Sequence, residues 1–269
     1  MINAQTQLYG VIGNPVRHSL SPIIHNGAFR RMGLNAVYLA FEVENLAEAI
    51  SGIRGLGVRG VSVTIPFKTQ VIPFLDEVEE VAGKIKAVNT ITNEGGRLTG
   101  QNTDWRGALE ALEEKIDLKD KRVLLLGSGG ASRAIAFGLK GKGCQVFICN
   151  RSLHKARALA EELGFVSLPL SCIDGLDTQV VINATSVGMH PNDTQSPLQK
   201  EFLKKGMTVM DIVYHPLRTK LLQEAEEQGC QTIAGLEMLA RQGAAQLQIW
   251  TGRRPDLEEI KEDLRRALG

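Results

Sequence analysis

Lys68 closes the stretch GVSVTIPFK (60–68), where a run of β-branched residues stops at Pro66 and an ammonium group follows two residues later. A lysine amine held at the carboxyl end of a strand is suited to give or take a proton. Along the strand Val61, Val63 and Ile65 point to one face and Ser62 and Thr64 to the other. The strand end therefore offers Thr64 and Lys68 together, with an ordinary surface lysine as the alternative. Asp104 in GQNTDWRG also has two readings: a carboxylate partner in the same chemistry, or, with Asn102 and Thr103, a helix cap. Ser21 before Pro22 reads as an N-cap with proline at the first helical position, and hydroxyls and N–H groups at such a start also receive carboxylates.

A second constellation is VLLLGSGGAS, with Gly127, Gly129 and Gly130 directly after an apolar strand and before a helix. Glycines there allow a tight turn and close backbone approach, and the helix N-terminus then faces a pyrophosphate. Ser132 occupies the sixth position, where a dinucleotide fingerprint expects Gly or Ala. The alternative is a plain strand-to-helix turn. An NAD site would place an acidic residue at the end of the next strand, but Asn150, Arg151 and Ser152 stand there, with Lys155 four residues after Arg151. With helix beginning at Ser152, two cations and no carboxylate suit a 2′-phosphate, which favours NADP over NAD. Either cation alone reads as a solvated surface charge.

These groups need a scaffold, and strand-like and helix-like runs alternate to supply one. Strands are expected at 8–13, 37–43 and 60–65, helices at 21–33 and 46–57, and two short strands across 88–101 around Asn93, Gly95 and Gly96. Pro66 is placed at the first turn of a further helix. In TDWRGALEALEE, Trp105, Ala108, Leu109 and Leu112 fall on one helical face. A second series follows, with strands RVLLL, QVFICN, QVVINAT and MTVMDIV, a polar loop at 190–197, a helix from Gly235 and a last helix from Pro255. The rhythm indicates an α/β fold with much parallel pairing, in two domains joined near residue 102.

Composition narrows the function. With 43% hydrophobic and 23% charged residues and a net charge of +1, no basic nucleic-acid surface or acidic tail is present. Cys144, Cys149, Cys172 and Cys230 form no metal-ligand spacing, which points away from a zinc site or a disulfide framework and toward a reducing cytoplasm. No secretory pattern opens the chain and no apolar run suits a membrane span.

The sequence resembles the shikimate dehydrogenase family from residue 8 to the C-terminus. The resemblance rests on GNPVRHSLSPIIHN (13–26), GVSVTIPFK, AVNT (87–90), GQNTDWRG, GSGGASRA (127–134), NRSLHKA (150–156), NATSVGM (183–189), DIVYHPLRT (211–219) and GLEMLARQG (235–243). It implies two α/β/α domains: a mostly parallel-sheet substrate domain over 1–102, completed by 240–269, and a Rossmann-like NADP domain over 103–239, with a cleft between them. It implies Lys68 and Asp104 as catalytic residues and substrate contacts at Ser19, Ser21, Thr64, Asn89, Tyr214 and Gln242. Cofactor contacts map onto Gly127, Ser128, Gly129, Gly130 and Ala131, onto Asn150, Arg151, Ser152 and Lys155, and onto Ala184, Thr185, Ser186, Val213 and Gly235. Ser128 and Ser152 stand where alanine and threonine are common. The implied reaction is NADPH-dependent reduction of 3-dehydroshikimate to shikimate, by a monomer or homodimer. The rivals are a broader shikimate/quinate enzyme using NAD and a non-catalytic NADP-binding regulator, the latter at odds with the presence of both Lys68 and Asp104.

Overall fold

The alternation of strand and helix patterns carries through the computed structural model, which describes residues 2–268. The chain divides into two units: one runs to Thr103 and resumes over Gln242–Ala267, the other is Asp104–Arg241. Among the described residues no helix is long and apolar enough to cross a membrane.

In the first unit β1 (Gln7–Gly13), β2 (Ala36–Glu42), β3 (Gly60–Val63), β4 (Glu77–Val78), β5 (Thr90–Glu94) and β6 (Arg97–Gln101) form a sheet in the order β2-β1-β3-β5-β6-β4. β1 is parallel to β2 and β3, and β4 to β6, whereas β3–β5 and β5–β6 are antiparallel. The reversal between β5 and β6 is made by Gly95 and Gly96, both at positive φ, which glycine adopts without steric cost. Ile50 and Ile53 of α2 (Leu46–Gly55) pack with Val61, Val63, Ile91 and Leu98. Asn45 caps α2, its side-chain oxygen accepting from the N–H groups of Ala47 and Glu48. A second cluster joins the rings of Tyr9, His25, Phe29, Tyr38 and Trp250, drawn from β1, α1 (Ser21–Arg31), β2 and α8 (Gly235–Thr251). Trp250 lies flat against β3 because residue 60 has no side chain; a Cβ there would come within 2.6 Å of the indole. Short α3 (Glu80–Ile85) and the final α9 (Leu257–Leu268) complete this unit's helices.

Four local expectations change. β3 ends at Val63 rather than 65, and Ile65 is 63% exposed instead of facing the core. Beyond Val63 the backbone bonds elsewhere: Thr64 N–H donates to Ile12, Ile65 accepts from Asn14, and Phe67 N–H closes a turn onto Thr64. No helix starts at Pro66, whose peptide bond is cis; turns lead instead to a 3₁₀ segment at Ile72–Phe74. Ser21 is the first helical residue, not the cap: Leu20 holds the cap position, and Ser21 N–H donates to Ser19 Oγ at 3.3 Å. The last helix starts at Leu257 because the Asp256 carboxylate accepts from Glu258 and Glu259 N–H, capping it two residues later than Pro255.

In the second unit β7 (Arg122–Leu126), β8 (Gln145–Cys149), β9 (Val166–Ser167), β10 (Val180–Asn183), β11 (Thr208–Asp211) and β12 (Gln231–Ile233) form an all-parallel sheet, β12-β11-β10-β7-β8-β9. Alternate strand residues enter two separate cores. Val123, Leu125, Val146, Ile148, Val180 and Ile182 join α4 (Asp104–Glu113), α5 (Gly130–Gly141) and α6 (Leu153–Leu163), while Leu124, Leu126, Val181 and Val209 join α7 (Lys220–Glu227). Strands buried on both faces explain the unbroken apolar runs VLLL and VVI. Leu109 of α4 meets α5 at Gly138, where a Cβ would lie 2.9 Å from it. Strand order reverses between β7 and β10, so the crevice at their carboxyl ends is where a doubly wound sheet receives a ligand.

Candidate active site

Thr64 and Lys68 lie in the turns that follow β3, both half-buried. The Lys68 backbone is anchored where its carbonyl accepts from Val88 N–H at 2.7 Å, and Val63 N–H donates to the Asn89 carbonyl at 2.8 Å. These bonds place the lysine segment beside Asn89, which is 2% exposed. The orientation of Asn89 is set by its partners. Its Oδ1 accepts from Thr90 Oγ1 at 2.7 Å and from Thr103 N–H at 2.8 Å, so its Nδ2 faces Thr103 Oγ1 at 2.9 Å and Gln242 Oε1 at 3.3 Å. The structure thus joins Asn89 and Gln242 directly, and Asn89 fixes Thr103, the residue before Asp104. Asp104 is buried and is the first residue of α4, where a carboxylate also suits the helix dipole.

One turn further along α8, Gln246 organises a chain of buried groups that the sequence did not advertise. Its Nε2 donates to the Asn89 carbonyl and to Thr90 Oγ1; its Oε1 accepts from Ser62 Oγ at 2.8 Å, which accepts from the Tyr38 hydroxyl at 2.6 Å. Burial holds the Tyr38 phenol above its ordinary range, against the hydrogen bonds of Ser62 and Ser21. The hydrogen-bonded chain therefore runs from Tyr38 to Asn89. His25 is stacked on Tyr38 at 4.3 Å with neither ring nitrogen in hydrogen-bond geometry with a partner. Burial drives its pKa down to about 3, outweighing the nearby Gln246, which favours the protonated ring. A polar Ser62 on the face opposite Val61 and Val63 was the available signal for this chain; Gln246 carried none.

The crevice of the second unit is built by backbone. Gly127 has φ +115, and a Cβ on it would lie 2.7 Å from Ser132 Oγ and 2.8 Å from the Ala184 carbonyl, so only glycine fits. Ser132, the departure from the fingerprint, is fully buried with its hydroxyl directed at the Ala184 carbonyl at 3.4 Å; the close packing that Gly or Ala would allow is kept. Around Gly129 a Cβ would meet nothing within 4 Å, and Gly129 precedes α5 without a side-chain cap. Ser128, Gly130 and Ala131 are half-buried in the same turn. This is the cradle that a pyrophosphate needs, and its donors are main-chain N–H groups at the start of a twelve-residue helix.

Beyond β8, Asn150 is half-buried, and Arg151 and Lys155 are exposed on either side of the α6 start. Ser152 is the cap residue and Leu153 the first helical one; Ser152 Oγ pairs with His154 Nδ1 at 2.9 Å rather than with a backbone N–H. The first turn of α6 carries no acidic residue, so its charge suits a phosphate. Across the crevice, Ala184 and Thr185 are half-buried, Ser186 exposed, and Val213 buried. Gly235 sits against this segment: a Cβ on it would fall 2.5 Å from the carbonyls of Ile212 and Val213. Tyr214 is half-buried in this second unit, and burial pushes its phenol up to about 12. Asn183, Asp211 and Thr219, all fully buried, tie these loops together. They lie inside NATSVGM and DIVYHPLRT; for Asn183 and Asp211 the available signal was a polar residue ending an apolar strand, and for Thr219 a capping residue before a helix.

The chain is similar to known proteins along nearly its whole length. Residues 11–91 match the shikimate dehydrogenase substrate binding domain, 109–213 the shikimate/quinate 5-dehydrogenase family, and 235–265 the shikimate 5'-dehydrogenase C-terminal domain. The shikimate dehydrogenase (NADP(+)) of Thermococcus kodakarensis is 50% identical over 95% of each chain. A crystal structure of a shikimate dehydrogenase in complex with NADP+ aligns with TM-score 0.95 at 45% identity, covering 100% of this chain and 98% of that one. The Thermus thermophilus enzyme in complex with NADP(H) and shikimate aligns with TM-score 0.91 at 41% identity, over 98% of this chain and 100% of that one. The chain belongs to the shikimate dehydrogenase family.

Proposed function

We infer that this chain is an NADP-dependent shikimate dehydrogenase, an oxidoreductase that interconverts 3-dehydroshikimate and shikimate in the route to chorismate and the aromatic amino acids. The observation that carries this reading is the Lys68 segment anchored beside the buried Asn89–Gln242 pair, in a chain of this family. The unit ending at Thr103 and resuming at Gln242 is read as the substrate domain, and Asp104–Arg241 as the NADP domain. The Gly127 turn, the uncapped start of α5 and the cations Arg151 and Lys155 fit NADP: main-chain N–H groups of 128–131 hold the pyrophosphate, and the cations hold the 2′-phosphate. When bound, NADPH supplies the hydride that reduces the substrate carbonyl.

Lys68 gives the carbonyl oxygen its proton and takes it back in the reverse direction, with Asp104 as its catalytic partner. Ser19, Ser21 and Tyr214 hold the ring carboxylate by hydroxyl hydrogen bonds; burial keeps the Tyr214 phenol neutral, so it remains a donor there. Thr64, Asn89 and Gln242 hold ring hydroxyls and orient the reacting carbon. Asn89 Oδ1 accepts from Thr90 and Thr103, and its Nδ2 faces Thr103 and Gln242, so the amide is held in one orientation beside the Lys68 segment. The four cysteines are free thiols, and burial raises Cys144 and Cys149 to about 11; such thiols suit a reducing compartment, and we place the enzyme in the cytoplasm. Initial rates of nicotinamide reduction with shikimate or quinate, each with NADP or NAD, test the reading. Fast turnover confined to shikimate with NADP is expected; equal rates with quinate or NAD, or no turnover in any mixture, overturn it.

A further inference from the structure

Asp211 is 0% exposed and takes no part in the chemistry above. It ends β11 directly opposite Asn183, which ends β10, and the two strands are the first pair beyond the reversal in strand order. A buried carboxylate is costly unless hydrogen bonds satisfy it. Here burial raises its pKa to about 6, and three donors work against that: Thr219 Oγ1 at 2.7 Å on Oδ2, with Val213 N–H at 3.0 Å and Asn183 Nδ2 at 2.9 Å on Oδ1. Above that pKa the group is mostly ionised and holds all three.

The three donors belong to the walls of the crevice. Asn183 also donates to the Val187 carbonyl, and its Oδ1 accepts from Thr185 N–H and Thr185 Oγ1, which closes the loop after β10 on itself. Val213 N–H begins the loop after β11, and Thr219 ends it by capping α7. At their far ends the two loops are joined again, His190 N–H donating to the His215 carbonyl at 3.0 Å. One carboxylate thus sets both loops, with Gly235 pressed on the other side of Ile212 and Val213. A dinucleotide spanning the crevice with its adenosine phosphate over β8 must lay its nicotinamide half over β10 and β11.

We propose that Asp211 is the positioning residue for the nicotinamide half of the cofactor, acting through the Asn183–Val187 and Val213–Thr219 loops, which it fixes without touching the cofactor. This rests on the NADP reading of the crevice. A displacement of about 1 Å at the reacting ring is enough to lower turnover by roughly 10²-fold, whereas the adenosine half rests on the Gly127 turn and on Arg151 and Lys155.

The test compares Asp211→Asn with the unaltered chain. Binding of adenosine 2′,5′-bisphosphate is measured by calorimetry, and kcat and KM for shikimate oxidation by initial rates, both normalised to folded protein by thermal unfolding. The expected result is a fragment Kd within about twofold of the unaltered chain with kcat lowered about 10- to 100-fold. Unchanged turnover, or a fragment affinity that falls as far as turnover does, overturns the proposal. Should Asp211→Asn not fold, Thr219→Val removes one donor and is expected to lower kcat in the same direction, with Thr219→Ser restoring it; equal kcat in Thr219→Val and the unaltered chain overturns the proposal. If the unaltered chain binds neither NADP nor the fragment, the cofactor reading itself falls and takes this inference with it.

Discussion

The two units place polar groups at the ends of their sheets with different materials. In the Asp104–Arg241 unit the sheet is all parallel and apolar on both faces, and polarity begins where the strands stop: at Gly127, Asn183 and Asp211. Its proposed ligand contacts are largely main chain, and glycine is required at 127 and 235 because backbone atoms stand where a Cβ would be. In the other unit the polar groups are side chains held by side chains, and the chain from Tyr38 through Ser62 and Gln246 to Asn89 runs through buried positions of β2, β3 and α8. A backbone site tolerates side-chain change outside its glycines and strand ends. A side-chain site transmits each lost partner to the next, because buried polar networks are costly when half satisfied.

The largest effect that this contrast predicts is at the chemistry itself. Lys68→Ala is expected to lower kcat by about 10²–10⁴-fold with a much smaller change in substrate affinity, read from initial rates and shikimate titration. Equal turnover would remove the acid–base role. Gln246→Leu sharpens the comparison, since Gln246 is a residue of the side-chain network that the mechanism does not place on substrate. It leaves Ser62 Oγ, Thr90 Oγ1 and the Asn89 carbonyl each short of a partner. The shikimate kcat/KM is expected to fall about 10- to 100-fold while the KM for NADP stays level, with unfolding free energy lower by about 2–4 kcal/mol. A fall confined to stability would show that the chain is only structural. In the backbone-built unit, Arg151→Ala and Lys155→Ala are each expected to raise the KM for NADP about tenfold and leave that for NAD unchanged, since they remove a charge-assisted contact to the 2′-phosphate alone. Equal effects on both cofactors would move the phosphate elsewhere.

The same contrast governs what the sequence revealed. The parallel sheet and its glycine turn were legible because strands buried on both faces read as apolar runs and a strand–glycine–helix order has few uses. Lys68 was legible as a strand-end lysine, but its setting was not: the run 60–65 looked like one strand, and only the bonds from Thr64 to Ile12 and from Asn14 to Ile65 show why pairing stops at Val63. Gln246 and Tyr38 were silent because period and propensity describe one element at a time, whereas their bonds cross 184 and 24 positions of sequence to reach Ser62. Ser21 was misread for a related reason: the serine–proline signal locates a helix start within a residue or two, and here the hydroxyl two residues earlier took the capping bond.

Protonation separates the two units a last time. Each buries an ionisable group with no opposite charge hydrogen-bonded to it, His25 in one and Asp211 in the other, and the two respond to acid in opposite senses. His25 has a folded pKa of about 3 against 6.5 for the free side chain. The unfolded chain therefore binds its proton first, and stability is lost as pH falls below about 6.5. Asp211 has a folded pKa of about 6 against 3.8, so the folded chain binds its proton first and gains stability as pH falls from about 6 toward 4. Between pH 7 and pH 5.5 the His25 contribution is a loss of about 1 kcal/mol, and Asp211 offsets part of it. His25→Phe keeps a ring against Tyr38 and removes only the proton site. Urea unfolding at both pH values is expected to show the variant losing about 1 kcal/mol less than the unaltered chain on acidification. Parallel losses would mean that His25 is charged in the folded protein, and that the aromatic cluster around it is wetter than its burial indicates.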